Sequence, residues 1–458
     1  MSGPKVVRVI TREELEAICE SLLARLDAAI GHVSAAIRRN GLDEGQVEKV
    51  LAERRDKLAR LLDQGNFTQL LRQAPDAIEF CRLEAVRLEA KAVAAREAAR
   101  SRRRRLADTA RSLVAAGEAT GGASSEALRT VAAGCLTASE AELARYEGIV
   151  EQALRSFVSG LGPRTAESDE AVKLAKRLGA GERGISFHEW LANSGTQTDE
   201  REARLDKVLA EVEALGDETI VAEFNQRAAR IAEEPLLRHR RMLTDSLILD
   251  ASNASKRLRA VEAVRSQLRE THAALLTYKS DEAKRQAAIL AQALSSHDTI
   301  LDEKLLAGAR GALDQAQAEL AAEARRKAIL NGLSALGYEV REGMATAWTQ
   351  NGRLVVRKPN ATDYGVELAA PGDASRLQVR LVGSDKPIEA RSKARDRDHE
   401  AAWCSEFTKL RELVGADGGD VVIERAIGVG VEPVRSVPFS DLAPSVSDDA
   451  HKPLERRL

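Results

Sequence analysis

Residues 76–118 read DAIEFCRLEAVRLEAKAVAAREAARSRRRRLADTARSLVAAGE, a run without proline in which Ala, Glu, Arg and Leu dominate. Such a stretch predicts one helix, about 65 Å long at 1.5 Å per residue. Its apolar seam passes through Ile78, Leu83, Val86, Ala90, Val93 and Ala94, and then through alanines. Small seam residues let a partner helix approach closely, and a polar turn at Gly121–Ser125 predicts that the next helix, Glu126 to Val158, folds back antiparallel.

Outward from this stretch the same pattern recurs. Thr11 with Glu14 is a capping-box signal for a helix carrying Leu15, Ile18, Leu22 and Leu26. A further helix follows Asp43. Pro235 opens another long run with Val261, Leu268, Leu275 and Ile289 at seven-residue steps, and a turn at Ser295–Asp298 predicts its return as a second hairpin. Composition agrees: charged residues are 31% and aromatics 3% of the 458 residues, too many charges and too few rings for a broad globular core.

After Gly337 the period changes from helical to alternating. Tyr338–Val340, Arg353–Arg357, Tyr364–Leu368 and Leu377–Val382 read as strands, and Asn351-Gly352 reads as a tight hairpin turn. Asp398 to Val414 is an amphipathic helix with Trp403, Phe407 and Leu410 inward, and Asp420–Arg425 is a last strand. The fold expected is therefore mainly α: long antiparallel coiled-coil hairpins followed by a small C-terminal α/β module of antiparallel sheet plus helix. The domains expected are a helical hairpin region 1–160, an elbow 161–198, a second hairpin 199–336, the α/β module 337–427 and a disordered tail 428–458.

The chemistry-bearing motifs are few. Gly179-Ala-Gly-Glu-Arg-Gly184 fits GxGxxG, but a helical pattern precedes it where a dinucleotide site needs a strand. His399 and Cys404 stand five apart on one helix, about 140° from each other, a poor arrangement for shared metal coordination. Phe187-His-Glu-Trp190 reads as an aromatic anchor of the elbow. Asp363 with Gln378 and Arg380 has a nuclease-like spacing but the wrong residue types for metal binding. No catalytic residue, cofactor or metal ligand is assigned.

Two surfaces stand out. Arg102, Arg103, Arg104 and Arg105 form a basic run, echoed by Arg238, Arg240 and Arg241. On a helix consecutive arginines point all round the cylinder, so they read either as a solvated collar or as phosphate contacts. In the α/β module, alternation puts Arg353, Arg357, Glu367, Gln378 and Arg380 on the face away from the apolar one, a surface suited to docking a partner.

The net charge of -2, from 69 basic and 71 acidic residues, gives no global pull toward nucleic acid or anionic membrane. The four cysteines lie far apart, as in a reducing compartment. Neither a leader pattern nor a membrane-spanning run is read, and the Ala- and Arg-rich usage suggests a bacterial genome. The function expected is a non-enzymatic coiled-coil scaffold or adaptor in a cytoplasmic multi-protein assembly. Its partners would be protein subunits, an NTPase among them, in a homo- or hetero-oligomer. The alternatives are a nucleic-acid-associated coiled-coil protein of the chromosome-organising or phage-defence type, and an enzyme with an unfamiliar site in 337–427.

Overall fold

The computed structural model describes residues 3–119, 126–160, 200–296, 300–361, 363–370, 374–385 and 392–439. Within them the chain is mainly α, with a small sheet. The helices are α1 (Arg12–Asn40), α2 (Gly45–Asp63), α3 (Phe67–Ala119), α4 (Glu126–Gly134), α5 (Glu140–Gly160), α6 (Glu200–Leu215), α7 (Glu218–Ala232), α8 (Leu237–Leu275), α9 (Asp281–Ser295), α10 (Glu303–Ala335), α11 (Met344–Asn351) and α12 (Lys393–Ala416). The strands are β1 (Lys5–Ile10), β2 (Arg353–Val356), β3 (Tyr364–Ala369), β4 (Arg376–Ser384), β5 (Asp420–Ala426) and β6 (Arg435–Val437). No described helix is long and apolar enough to cross a membrane.

Two compact units divide the chain: 1–31, 45–81 and 264–458 form the first, 32–44 and 82–263 the second. Three of the four boundaries fall inside α1, α3 and α8, and the fourth lies between α1 and α2.

The first unit holds the sheet, ordered β2-β3-β4-β1-β5 and antiparallel throughout that path, with β6 added in parallel to the end of β4. The N-terminal strand is thus central: Lys5 pairs with Val379 on one side and Ala426 on the other. Alternation then sets the faces. Val7, Val9, Leu354, Val356, Val366, Leu368, Leu377, Val379 and Val421 meet Ile329 and Leu333 of α10, Trp348 of α11, and Trp403, Phe407 and Leu410 of α12 in one core. Gly332 of α10 lies against Leu410, where a Cβ would clash, so glycine sets the closeness of α10 and α12. A second cluster packs Val264, Leu268 and Leu275 of α8 with Leu290 of α9 and Leu306 and Leu313 of α10. Caps fix the helix starts: Glu14 N–H donates to Thr11 Oγ1 at 3.2 Å, Ala283 N–H to Ser280, and Leu305 N–H to Asp302.

The second unit is helical. Leu106, Ala107 and Ala110 of α3 pack against Leu128 and Val131 of α4 and Leu143 and Val150 of α5. Leu209 and Val212 of α6, Phe224 of α7, and Leu247 and Ala251 of α8 form another cluster, and Val93 meets Ala210 and Ala214. Of the six seam residues named for α3 only Ile78 and Val93 are buried: Leu83, Val86, Ala90 and Ala94 are exposed, and the buried stripe runs instead through Ala77, Cys81, Ala85, Leu88 and Ala92.

Several expectations are corrected. The short β-prone run Lys5–Ile10 is a strand, and what its sequence did not show is that it belongs to the C-terminal sheet. Asn351-Gly352 is no hairpin turn. Gly352, at φ +67°, caps the end of α11, and its N–H donates to Trp348 O. The residues a hairpin favours are also those a helix C-terminus favours. Tyr338–Val340 is not a strand, although Glu339 N–H donates to Arg357 O. The helix read over Glu126–Val158 is interrupted by a 3-10 turn at Cys135–Thr137. Ser139 and Glu142 then make a reciprocal capping box that restarts it as α5. Finally, Arg435–Val437 is strand, not tail: it completes pairing along β4 where β1 has ended. The Gly121–Ser125 turn, the elbow 161–198 with its GxGxxG-like and Phe187–Trp190 stretches, and residues 440–458 lie outside the described residues.

Candidate functional site

On α3 each residue turns by about 100°, so the arginine run addresses different neighbours in succession. Arg100 donates to Glu213 of α6 and Asn225 of α7. Arg102 holds Glu147 of α5 through Nε at 2.6 Å and Nη2 at 2.7 Å, with Glu140 at 3.5 Å. Arg103 donates to Ala138 O at 3.1 Å and to Glu140 at 2.9 Å. Arg104 pairs with Asp206 of α6, with Glu202 at 3.7 Å. Arg105 is half-buried, and its carbonyl accepts from Thr109 Oγ1. Three of the four arginines read as phosphate contacts are therefore engaged with carboxylates inside the unit. Neither a solvated collar nor a free basic patch describes them.

The second basic cluster opens α8. Arg238 is exposed, Arg240 is half-buried and Arg241 is exposed. Arg103, Arg104, Arg240 and Arg241 line one cavity of about 520 Å³ among α3, α6, α7 and α8, so folding brings the two clusters together. Arg102, Arg105 and Arg238 are not on its wall. Arg100, which opens the basic run, is on it, as are Arg201 and Asp206, which sequence reading missed. Arg201 sits there with its Nε 3.0 Å from Asp245.

Asp206 is only 4% exposed. Burial pushes its carboxyl up to about 6, against the pull of Arg104 and Arg100 and with Glu202 and Glu97 adding to the rise. A folded-state value above the unfolded one means the folded form binds the extra proton. The associated stability is complete below about 3.8 and is lost as pH rises through about 6. We expect Asp206→Asn to flatten the pH dependence of unfolding between pH 4 and 7 by up to about 3 kcal/mol. The check is denaturant unfolding of both proteins across that range, and identical slopes would refute it. Arg104→Gln should cost about 2 kcal/mol at pH 7, below the usual cost of orphaning a buried charge because Asp206 escapes by taking a proton. The penalty should shrink at pH 5 in the same assay.

In the first unit, the five residues read as a docking face share the side of the sheet opposite the core. Arg353 and Gln378 are exposed. Arg357 lies over the Phe439 ring at 5.2 Å. Glu367, 2% exposed, accepts from Arg380 Nε at 2.5 Å, so these two form an internal pair rather than an open contact. Register adds Arg8 and Arg376 to the same face, the latter 3.0 Å from Glu424. Val355, Val382 and Val437 make a small apolar cluster there with Phe439 beside it.

His399 stacks on Tyr364 at 3.9 Å between centroids, and Tyr364 O–H donates to Asp396 at 2.7 Å. Among the described residues no three His, Cys, Asp or Glu side chains group as a metal site. Compared with known proteins, the chain matches no family model, no curated protein and no solved structure.

Proposed function

We propose that this protein is a non-enzymatic helical scaffold, an adaptor in a cytoplasmic multi-protein assembly, whose sheet docks the acidic surface of a protein partner. The observation that carries this reading is the one-sidedness of the sheet. Its large apolar residues face the core with α10, α11 and α12, while the other side displays Arg8, Arg353 and Arg376 beside Gln378. Arginines outnumber carboxylates on that side, so an acidic surface is the complementary one. Long helices suit the scaffold role, since the 53 residues of α3 span ~80 Å.

The test is quantitative affinity capture from the native host, comparing the wild-type protein with an Arg8→Glu/Arg353→Glu variant. Both positions are exposed, so the variant should keep its circular dichroism and thermal midpoint. It should lose an acidic protein that the wild type retains, by about tenfold or more. A folded variant that keeps every wild-type partner would overturn the reading. Recovery of nucleic acid alone would favour the rival assignment.

A further inference from the structure

We propose that the arginine-lined cavity of the second unit binds a small amphiphilic anion, an aliphatic body ending in a carboxylate or phosphate. The site owes nothing to the docking face, and the proposal stands apart from the scaffold reading.

Charge comes first. Arg100, Arg103, Arg104, Arg201, Arg240 and Arg241 line the cavity with Glu202, Asp206 and Glu213, and Arg103 and Arg201 also hold Glu140 and Asp245, so an arriving anion would meet guanidinium groups already paired on one side. Cations gathered in a wall of low polarity attract an anion more strongly than they would in water. Hydrogen bonding points the same way: Arg100 Nε is buried without a hydrogen-bond acceptor among the described residues, and Arg104 Nη1 has only Glu202 at 3.7 Å. A buried donor left unmade is costly, and an arriving oxyanion with a small guanidinium rotation would satisfy it. Arginine is also the side chain whose planar fork fits carboxylate and phosphate oxygens two at a time.

The remainder of the wall selects the body of the ligand. Leu136, Leu205, Leu209, Ile231 and Leu237 contribute aliphatic surface, and no lining residue is aromatic. Nucleobases are held by stacking on rings, and this cavity offers none. Leu136 and Leu237 remain 42% and 51% exposed, an apolar rim that an alkyl chain would cover. The volume of about 520 Å³ lies within the common range for small-molecule sites.

Titration calorimetry of the full chain at low salt would test this with octyl phosphate and octanoate. Inorganic phosphate, octanol and adenosine monophosphate serve as comparisons. One of the two alkyl anions, or both, should bind at one site per chain, and which of them binds tells phosphate from carboxylate. Phosphate alone and octanol should bind at least about tenfold more weakly. Arg240→Gln/Arg241→Gln should weaken the alkyl anion by about tenfold or more, the loss expected for charge-assisted hydrogen bonds. Ala229→Trp, placed on an exposed lining position, should block entry while the protein keeps its thermal midpoint. Failure of both alkyl anions to saturate, binding that both variants leave intact, or octanol binding as tightly would each overturn the proposal. So would adenosine monophosphate or an oligonucleotide binding the same arginines more tightly.

Discussion

Replacing Val7 and Val9 together with Asp should destroy the sheet of the first unit. Both valines are 1% exposed and sit on the core face of the one strand that joins β4 to β5. Two carboxylates there would enter the apolar cluster that holds Trp403 and Phe407, cut off from water and with the single buried ammonium of Lys5 on their face of the strand. The strand would leave, and the ladder would divide into β2-β3-β4 and a lone β5. We expect a loss of at least about 5 kcal/mol, comparable with the whole stability of many domains. Hydrogen exchange reads it directly: the amides of Leu377–Val379 and Val421–Ile423 should change from slow to fast. The neighbouring Arg8 is exposed, and Arg8→Asp should leave their protection unchanged. If the double variant kept slow exchange in both strands, the central placement of β1 would be wrong.

Trp403→Ala should cost about 3–5 kcal/mol, the usual result of emptying a large buried ring site. Trp403 is 2% exposed and makes edge contacts with Tyr338 and Phe407, each at 6.0 Å between centroids. Tyr338 is itself held by its O–H donating to Glu406, which also accepts from Lys358 at 2.6 Å. Removal of the indole therefore opens a void beside a polar clamp that cannot collapse inward without breaking hydrogen bonds. Urea unfolding of the first unit, followed by the fluorescence of Trp348, would measure the loss. A change below about 1 kcal/mol would mean that the ring is not central to this core.

The helices were legible in the sequence because their signals are local: the unbroken run of α3, the Thr11 cap and the inward set Trp403, Phe407 and Leu410 all lie within one or a few turns, although the face of α3 was misplaced, with Leu83 and Val86 exposed. The alternation that sorted Leu354, Val356, Leu377 and Val379 from Arg353, Gln378 and Arg380 was equally local. What stayed hidden depends on distance along the chain. Lys5–Ile10 looks like a strand, but nothing nearby shows that its partners begin at Arg376 and Asp420. Asn351-Gly352 was misread because a glycine at positive φ serves a hairpin turn and a helix end alike. The arginine run shows its charge in sequence and conceals the carboxylates that meet it, since Glu147, Glu202 and Asp206 come from helices formed later in the chain. Ser139 and Glu142 did carry a readable cap, overlooked inside a pattern that seemed continuously helical.

The place of β1 also sets a clock for biosynthesis. Its first partner, β4, lies some 370 residues downstream, and a ribosome adding about 5–20 residues per second reaches it roughly 20–70 s later. During that interval Val6, Val7, Val9 and Ile10 emerge as an unpaired strand with unsatisfied edges. Lys5 and Arg8, interleaved among them, are the residues that discourage pairing with other nascent chains. The ladder of the first unit therefore closes only after β4 and β5 have been made, when β1 can take its place between them.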